Sequence, residues 1–359
     1  MSPAPANMAQ AVSKSRVDWV DAVKGFTILL VILQHTTYGV AAAMPDFPGA
    51  FYAICKWAEP FRMPLFFLVA GLFAQKALKA PLRSFLDGKI IHFAYFYVLW
   101  TVIQIGLKLA LPGGSSVTVN DLALAVIEPF GILWFIYCLA LFFGVMRLTQ
   151  HLPQSFVTQS FVTKSFVYGV ALALFFIRPH TGWTVPDEFA HRFIFFASGV
   201  YFAPLIFALA NWADAHQRRS LALGLAAYAA IAALVYSGLT ADHAVEMVAS
   251  YAGAAATIML VSLLSARGLT GALAFAGSRS LAIYLAFFIP MAFSRVLLVR
   301  LGLENADLVT ALVYGTAVAG SLIAYALTLK TPLRFLYLRP DFFRLKKEAQ
   351  LPDAVRSYA

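Results

Sequence analysis

The sequence predicts an all-α polytopic membrane protein with about ten transmembrane helices and both termini in the cytoplasm. Three observations predict it. First, 61% of the 359 residues are hydrophobic and only 12% are charged, against roughly 45–50% and 25% in soluble domains, and mean hydropathy is +0.77. Second, apolar runs of spanning length recur along the whole chain. Third, Lys and Arg alternate between loops. A soluble enzyme could not cover so much apolar surface with so few charges. Disorder is excluded as well, since disordered chains are poor in apolar residues.

A membrane helix needs about 20 apolar residues. Such runs lie near 22–43, 58–78, 90–111, 131–149, 165–178, 190–211, 220–238, 246–265, 272–299 and 308–329. The fifth is short and ends at Arg178-Pro179. Cytoplasmic loops carry excess Lys and Arg. With the N-terminus inside, twenty of the 27 fall on inside segments; the others are Lys56, Arg62, Lys108, Arg178, Arg192, Arg295 and Arg300. That bias favours an even number of spans, because an odd number would put the basic C-terminus outside. Three regions follow: a cytoplasmic tail over 1–20, a ten-helix domain over 21–330, and a basic cytoplasmic tail over 331–359.

The remaining features are plainer. Net charge is +10, but the basic residues sit in short loops, a pattern that reads as topology and not as a nucleic-acid face. Cys55 and Cys138 lie in or beside apolar runs without metal or disulfide spacing and read as small core residues. Residues 1–15 are polar and do not form a signal peptide. The first apolar run holds Lys24 and His35, with no small-residue cleavage pattern after it, and reads as a retained helix. Residues 155–167 read SFVTQ-SFVTK-SFV, which is expected to be a tolerated loop expansion. No carboxylate–histidine set has ligand spacing, so no metal is expected.

Ionisable groups inside a span are costly and mark functional sites by default. The first run carries Asp21, Lys24 and His35. At 100° per residue the three share one helix face, with Lys24 and His35 about 16 Å apart along the axis. They cannot touch, but they could hold two ends of one elongated ligand. For Lys24 and Asp21 alone, interface anchoring and capping is the favoured reading. His35 lies deep in the span. Its chemistry leaves two readings open, a bridge between helices or a proton acceptor.

Four segments resemble the membrane acyltransferase-3 family. RVDWVDAVKGFTILLVILQH (Arg16 to His35) is similar to the family's opening, a basic residue followed ten residues later by His, which Lys24 and His35 fit. FRMPLFFLVAGLF (Phe61 to Phe73) resembles its second-helix motif. ILWFIYCLALF (Ile132 to Phe142) resembles its Leu-Trp-Phe-Leu helix, and GSRSLAIYLAF (Gly277 to Phe287) its late Ser-Leu-x-Ile-Tyr-Leu segment. There are departures. Phe287 stands where many relatives have His, Arg62 precedes Met-Pro where His is frequent, and Ala94 stands near a usual proline. These bear on the acceptor more than on the reaction.

The resemblance implies an integral-membrane acyltransferase of the O-acetyltransferase kind. It would move an acyl group, typically acetyl, from cytoplasmic acyl-CoA to a hydroxyl of a surface glycan or lipid-linked sugar, in polysaccharide modification at the bacterial inner membrane. Acyl-CoA would be the donor substrate, with no permanently bound cofactor and no nucleic-acid partner. His35 would be the general base or an acyl-carrying nucleophile, with Asp21 and Arg62 completing the catalytic set. Lys24, Arg83, Lys89 and Arg279 would meet the donor phosphates. Glu59, Glu128 and Trp134 would face the acceptor. For Arg62 and Glu59, spaced three apart, an interface ion pair is the plain alternative. His92 and His191 read as interface or helix-bridging residues. Two other functions compete: a transporter of a small polar solute, against which stands the lack of an inverted repeat of broken helices, and a non-catalytic assembly partner in polysaccharide export.

Overall fold

The computed structural model describes residues 17–44, 49–110, 117–149 and 157–345. The tail up to residue 16, the chain beyond 345 and the first two residues of the SFVTQ repeat lie outside the described residues. Within them the fold is helical. In chain order the helices are α1 (Asp18–Ala43), α2 (Ala50–Leu72), α3 (Ala74–Leu78), α4 (Leu82–Phe85), a π-helical turn (Leu86–Ile91) and α5 (His92–Ala110). Then come α6 (Asn120–Leu124), α7 (Trp134–Thr149), α8 (Val157–Ile177), α9 (Thr184–Tyr201), α10 (Ala203–Ala215), α11 (Gln217–Tyr236) and α12 (His243–Ala266). The series ends with α13 (Gly271–Gly277), α14 (Ser280–Ala286), α15 (Phe288–Arg300) and α16 (Ala306–Thr328).

Every one of the ten apolar runs falls on helix. Among the described residues, six helices are long and apolar enough to cross a membrane, or eight if each of two broken pairs is one span. The first pair, α9 and α10, breaks at Phe202, where Pro204 in the first turn of α10 supplies no N–H to continue the helix. The second, α14 and α15, bends by 46°. The remaining two runs fall on α2 and α8. α2 has 23 residues but carries Lys56, Glu59, Arg62 and two prolines. α8 is 21 residues long, Val157–Ile177, with a single charge at Lys164. It begins at Val157, so most of the expected loop repeat is helical instead. It stops at Arg178, whose φ of +42° ends the helix just before Pro179.

The chain divides into two compact units, residues 1–72 with 198–325, and residues 73–197 with 326–359. In the first, α1 is the central helix. Fourteen of its 26 residues are buried on all sides, Asp21 among them, as for a helix surrounded by others. It packs against α13, α2 and α12. Small residues allow the closest approach. A Cβ on Gly277 would lie 1.7 Å from the Asp21 carbonyl oxygen, and one on Gly25 would lie 1.9 Å from that of Leu273. Backbone-to-backbone contact of this kind is how apolar helices associate where lipid competes for every apolar side chain. Beside it, Leu30, Ala58, Phe61, Ile231 and Ala249 form a buried cluster.

α2 keeps its helix through Pro60 and Pro64. Pro64 has no N–H, so the Pro60 carbonyl loses its helical partner. The Ser250 hydroxyl of α12 donates to that carbonyl at 2.6 Å. Ser250→Ala leaves a buried carbonyl unsatisfied and will cost about 1–3 kcal/mol. A drop in the thermal unfolding midpoint of the purified protein checks this, and an unchanged midpoint would mean that water or a neighbour takes over.

The second unit has an aromatic core. Phe142 of α7 packs against Phe189, Phe193 and Phe196 of α9 at centroid distances of 5.3–5.7 Å. The stretch expected to begin the C-terminal tail is folded here as two 3-10 turns, Pro332–Leu336 and Asp341–Phe343. Tyr95 Oη donates to the Phe335 carbonyl at 2.9 Å, and Trp100 Nε1 to the Leu336 carbonyl at 2.9 Å. Arg339, 8% exposed, reaches the Asp87 carboxylate and carbonyl, each at 2.8 Å.

Candidate active site

The first unit carries most of the expected site. α1 runs unbroken from Asp18 to Ala43, so eleven residues of rise separate Lys24 from His35, about 16 Å. At the Lys24 end, Nζ lies 3.6 Å from Asp21 Oδ1. Asp21 is 7% exposed and sits in the first turn, where a negative charge complements the helix dipole. It belongs with Lys24 and not with the imidazole fourteen residues away, so its effect on His35 can only be indirect. The turn after Gly277 meets α1 here and brings Arg279 to the same end. The Arg279 guanidinium covers the Phe275 ring at 3.8 Å and donates to the Phe275 carbonyl at 3.1 Å and to Ser278 Oγ at 3.0 Å.

The other half of α1 holds His35. Its ring lies 5.7 Å from that of Phe287. Arg62 of α2 is 4% exposed and stands within electrostatic reach of the imidazole. The sequence put Arg62 at the end of its span beside Glu59. The structure buries it, and the Glu59 carboxylate meets Lys56 Nζ at 3.0 Å. Tyr38, one turn beyond His35, was not singled out from sequence; its spacing of three from His35 was the available signal. It packs on Tyr52 at 5.7 Å, within electrostatic reach of Glu59 and Arg62. Cys55 Sγ donates to Thr37 Oγ1 at 3.5 Å, which fits the reading of a core cysteine. An imidazole beside a buried guanidinium can take a hydroxyl proton while the cation stabilises an oxyanion.

Two cavities open at the end of α1 away from Lys24. One, of about 400 Å³, is lined by Gly49, Tyr52, Ala53, Lys56, Val235 and Tyr236. The other lies between the end of α1 and α15.

The second unit holds the remaining candidates. Arg83 is exposed on α4. Lys89 sits in the π-helical turn, its Nζ 4.6 Å from the Phe143 ring centroid. Glu128 has a structural job: both carboxylate oxygens accept from the Thr184 amide, at 3.1 and 3.0 Å, at the start of α9. Trp134 opens α7, half-buried against Phe135. His191 bridges helices as expected, accepting from Arg178 Nη2.

The family model for an acyltransferase domain, Acyl_transf_3, matches residues 17–327. The chain belongs to the membrane acyltransferase-3 family. No curated protein and no solved structure matches it. The match begins one residue before α1 and ends one residue before the end of α16. This membrane acyltransferase therefore has both His35 and Lys24 inside its family domain.

Proposed function

We propose that this acyltransferase transfers an acyl group, acetyl in the simplest case, from acyl-CoA to a hydroxyl of a surface glycan or lipid-linked sugar. The single observation that supports it is the Lys24–His35 arrangement. One unbroken helix carries an accessible cation at one end and an imidazole beside a buried arginine farther along, inside a domain of the family. An extended pantetheine arm is comparable in length to their separation. In the reaction, His35 takes the acceptor hydroxyl's proton as the oxygen attacks the thioester carbon. Arg62 stabilises the oxyanion. The C–S bond then breaks, and His35 returns its proton to the leaving sulfur, so that CoA departs as the thiol and the imidazole is again neutral. Lys24, oriented by Asp21, meets the donor phosphates with Arg279. Ten spans, cytoplasmic termini and a bacterial inner-membrane location complete the reading.

The test uses purified full-length protein, labelled acetyl-CoA and a cell-envelope glycan fraction. Label transfer to glycan supports the proposal. Release of CoA without labelled glycan, or no consumption of acetyl-CoA, contradicts it. Lys24→Ala will raise the donor KM about tenfold, roughly 1.4 kcal/mol of lost binding, and leave kcat close to wild type. An unchanged KM would remove Lys24 from the donor site. For topology, single cysteines at positions 180–183 will react with an impermeant thiol reagent in intact cells, and cysteines at 214–220 will not. The reverse pattern would invert the assignment.

A further inference from the structure

The end of α1 away from Lys24 carries a second cationic site. A cavity of about 350 Å³ is lined by Gly39, Ala42 and Ala43 of α1 and by Arg295, Val296, Val299 and Arg300 of α15. Among the described residues, the lining holds two guanidinium groups and no acid. Among the described residues, neither arginine makes a hydrogen bond or an ion pair. Of the two acids that follow α15, Asp307 accepts from the Ala50 and Phe51 amides at 3.2 and 3.5 Å, and Glu304 is exposed.

The plain reading is that these are interface arginines, with Arg295 complementing the C-terminal dipole of α1. Two observations go past it. Arg295 does not simply reach outward. A Cβ on Gly39 would lie 2.4 Å from its Nη1, so the absence of a side chain at 39 is what lets the guanidinium lie against α1. Arg300, in the last turn of α15, complements that helix's own dipole, yet it lines the same hollow as Arg295. Two like charges around one uncharged hollow repel, and an anion between them removes that cost. Guanidinium groups match phosphate oxygens in paired hydrogen bonds. The rest of the lining is Ala and Val at the end of two apolar helices, which suits an acyl or prenyl chain.

We propose that Arg295 and Arg300 bind a phosphate group carried by a lipid. Gly39 lies four residues beyond His35, one turn and about 6 Å along the same face. The site does not depend on the acyl-transfer reading, since it is argued from the cavity and its charges alone. Its source is either a bulk phospholipid or a lipid carrier that presents a sugar.

The experiment is equilibrium binding to full-length protein in detergent, with polyprenyl phosphate, the matching uncharged polyprenol and phosphatidylglycerol as probes. The phosphate is expected to bind at least about tenfold tighter than the alcohol, and Arg295→Gln/Arg300→Gln is expected to abolish the difference. Phosphatidylglycerol competing on equal terms assigns the site to bulk phospholipid; weak competition assigns it to a carrier. Equal binding of phosphate and alcohol, or a double variant that binds like wild type, overturns the proposal. Should the double variant fail to fold, Arg300→Gln alone carries the same reading, because that side chain is exposed. No turnover is measured, so a negative acyl-transfer assay leaves this result intact.

Discussion

His35→Ala will lower kcat for acyl transfer by about 10²–10⁴-fold, the usual contribution of a positioned general base. The donor KM will change little, because Lys24 and Arg279 lie at the other end of α1. The fold will survive, since the loss is one ring contact with Phe287 at 5.7 Å in a helix held along its length by α13, α2 and α12. His35→Gln separates base chemistry from packing. It fills the space and can hydrogen-bond but cannot take up a proton at neutral pH, so it will be as impaired as the alanine variant. Steady-state rates with labelled donor, taken beside unfolding midpoints, check this. A glutamine variant with near wild-type kcat would make the imidazole a helix bridge.

Gly277→Val will have the largest effect on folding. The substituted Cβ would lie 1.7 Å from the Asp21 carbonyl oxygen and 2.7 Å from the Gly25 nitrogen. Both are backbone atoms of the central helix, so no rotamer change can relieve the clash. Overpacking that side chains can absorb costs about 1–3 kcal/mol. Here α1 and α13 must separate, and the cost will reach or exceed the top of that range. Folded yield by size-exclusion chromatography will fall sharply. Protein that does fold will show weakened CoA binding, because the displaced segment carries Arg279 and abuts the turn that holds Asp21 and Lys24. Gly271→Val is the control: it lies at the start of the same helix with open space at its Cβ and will be tolerated. Equal yields of the two variants would show that the close approach is not needed.

The helical membrane architecture was legible because it depends on composition and on apolar run length, which a chain displays without its partners. Helix α1 and the separation of Lys24 from His35 follow from a fixed rise per residue, and the family domain from four short motifs. What the sequence hid depends on tertiary neighbours. The burial of Arg62, which the sequence placed at the end of its span, comes from α1 and α12 packing against α2. The hydrogen bonds from Thr184 to Glu128 were hidden because nothing in the sequence links residues 56 positions apart. Ser250 had no visible role because the need it meets, a carbonyl orphaned by Pro64, lies on another helix. Residues 331–345 read as tail because Arg339 and Asp87 are paired only by the fold. The number of crossing helices was the least legible, since proline-broken and charge-bearing helices such as α2 and α9–α10 blur hydropathy.

The central claim is that one thioester spans α1 from Lys24 to His35. A structure of the full-length protein with CoA bound measures this most directly. The account predicts phosphates beside Lys24, pantetheine running along α1, and the sulfur against the His35 imidazole. A sulfur lying outside the first unit, or at the Lys24 end with no passage to His35, would contradict it.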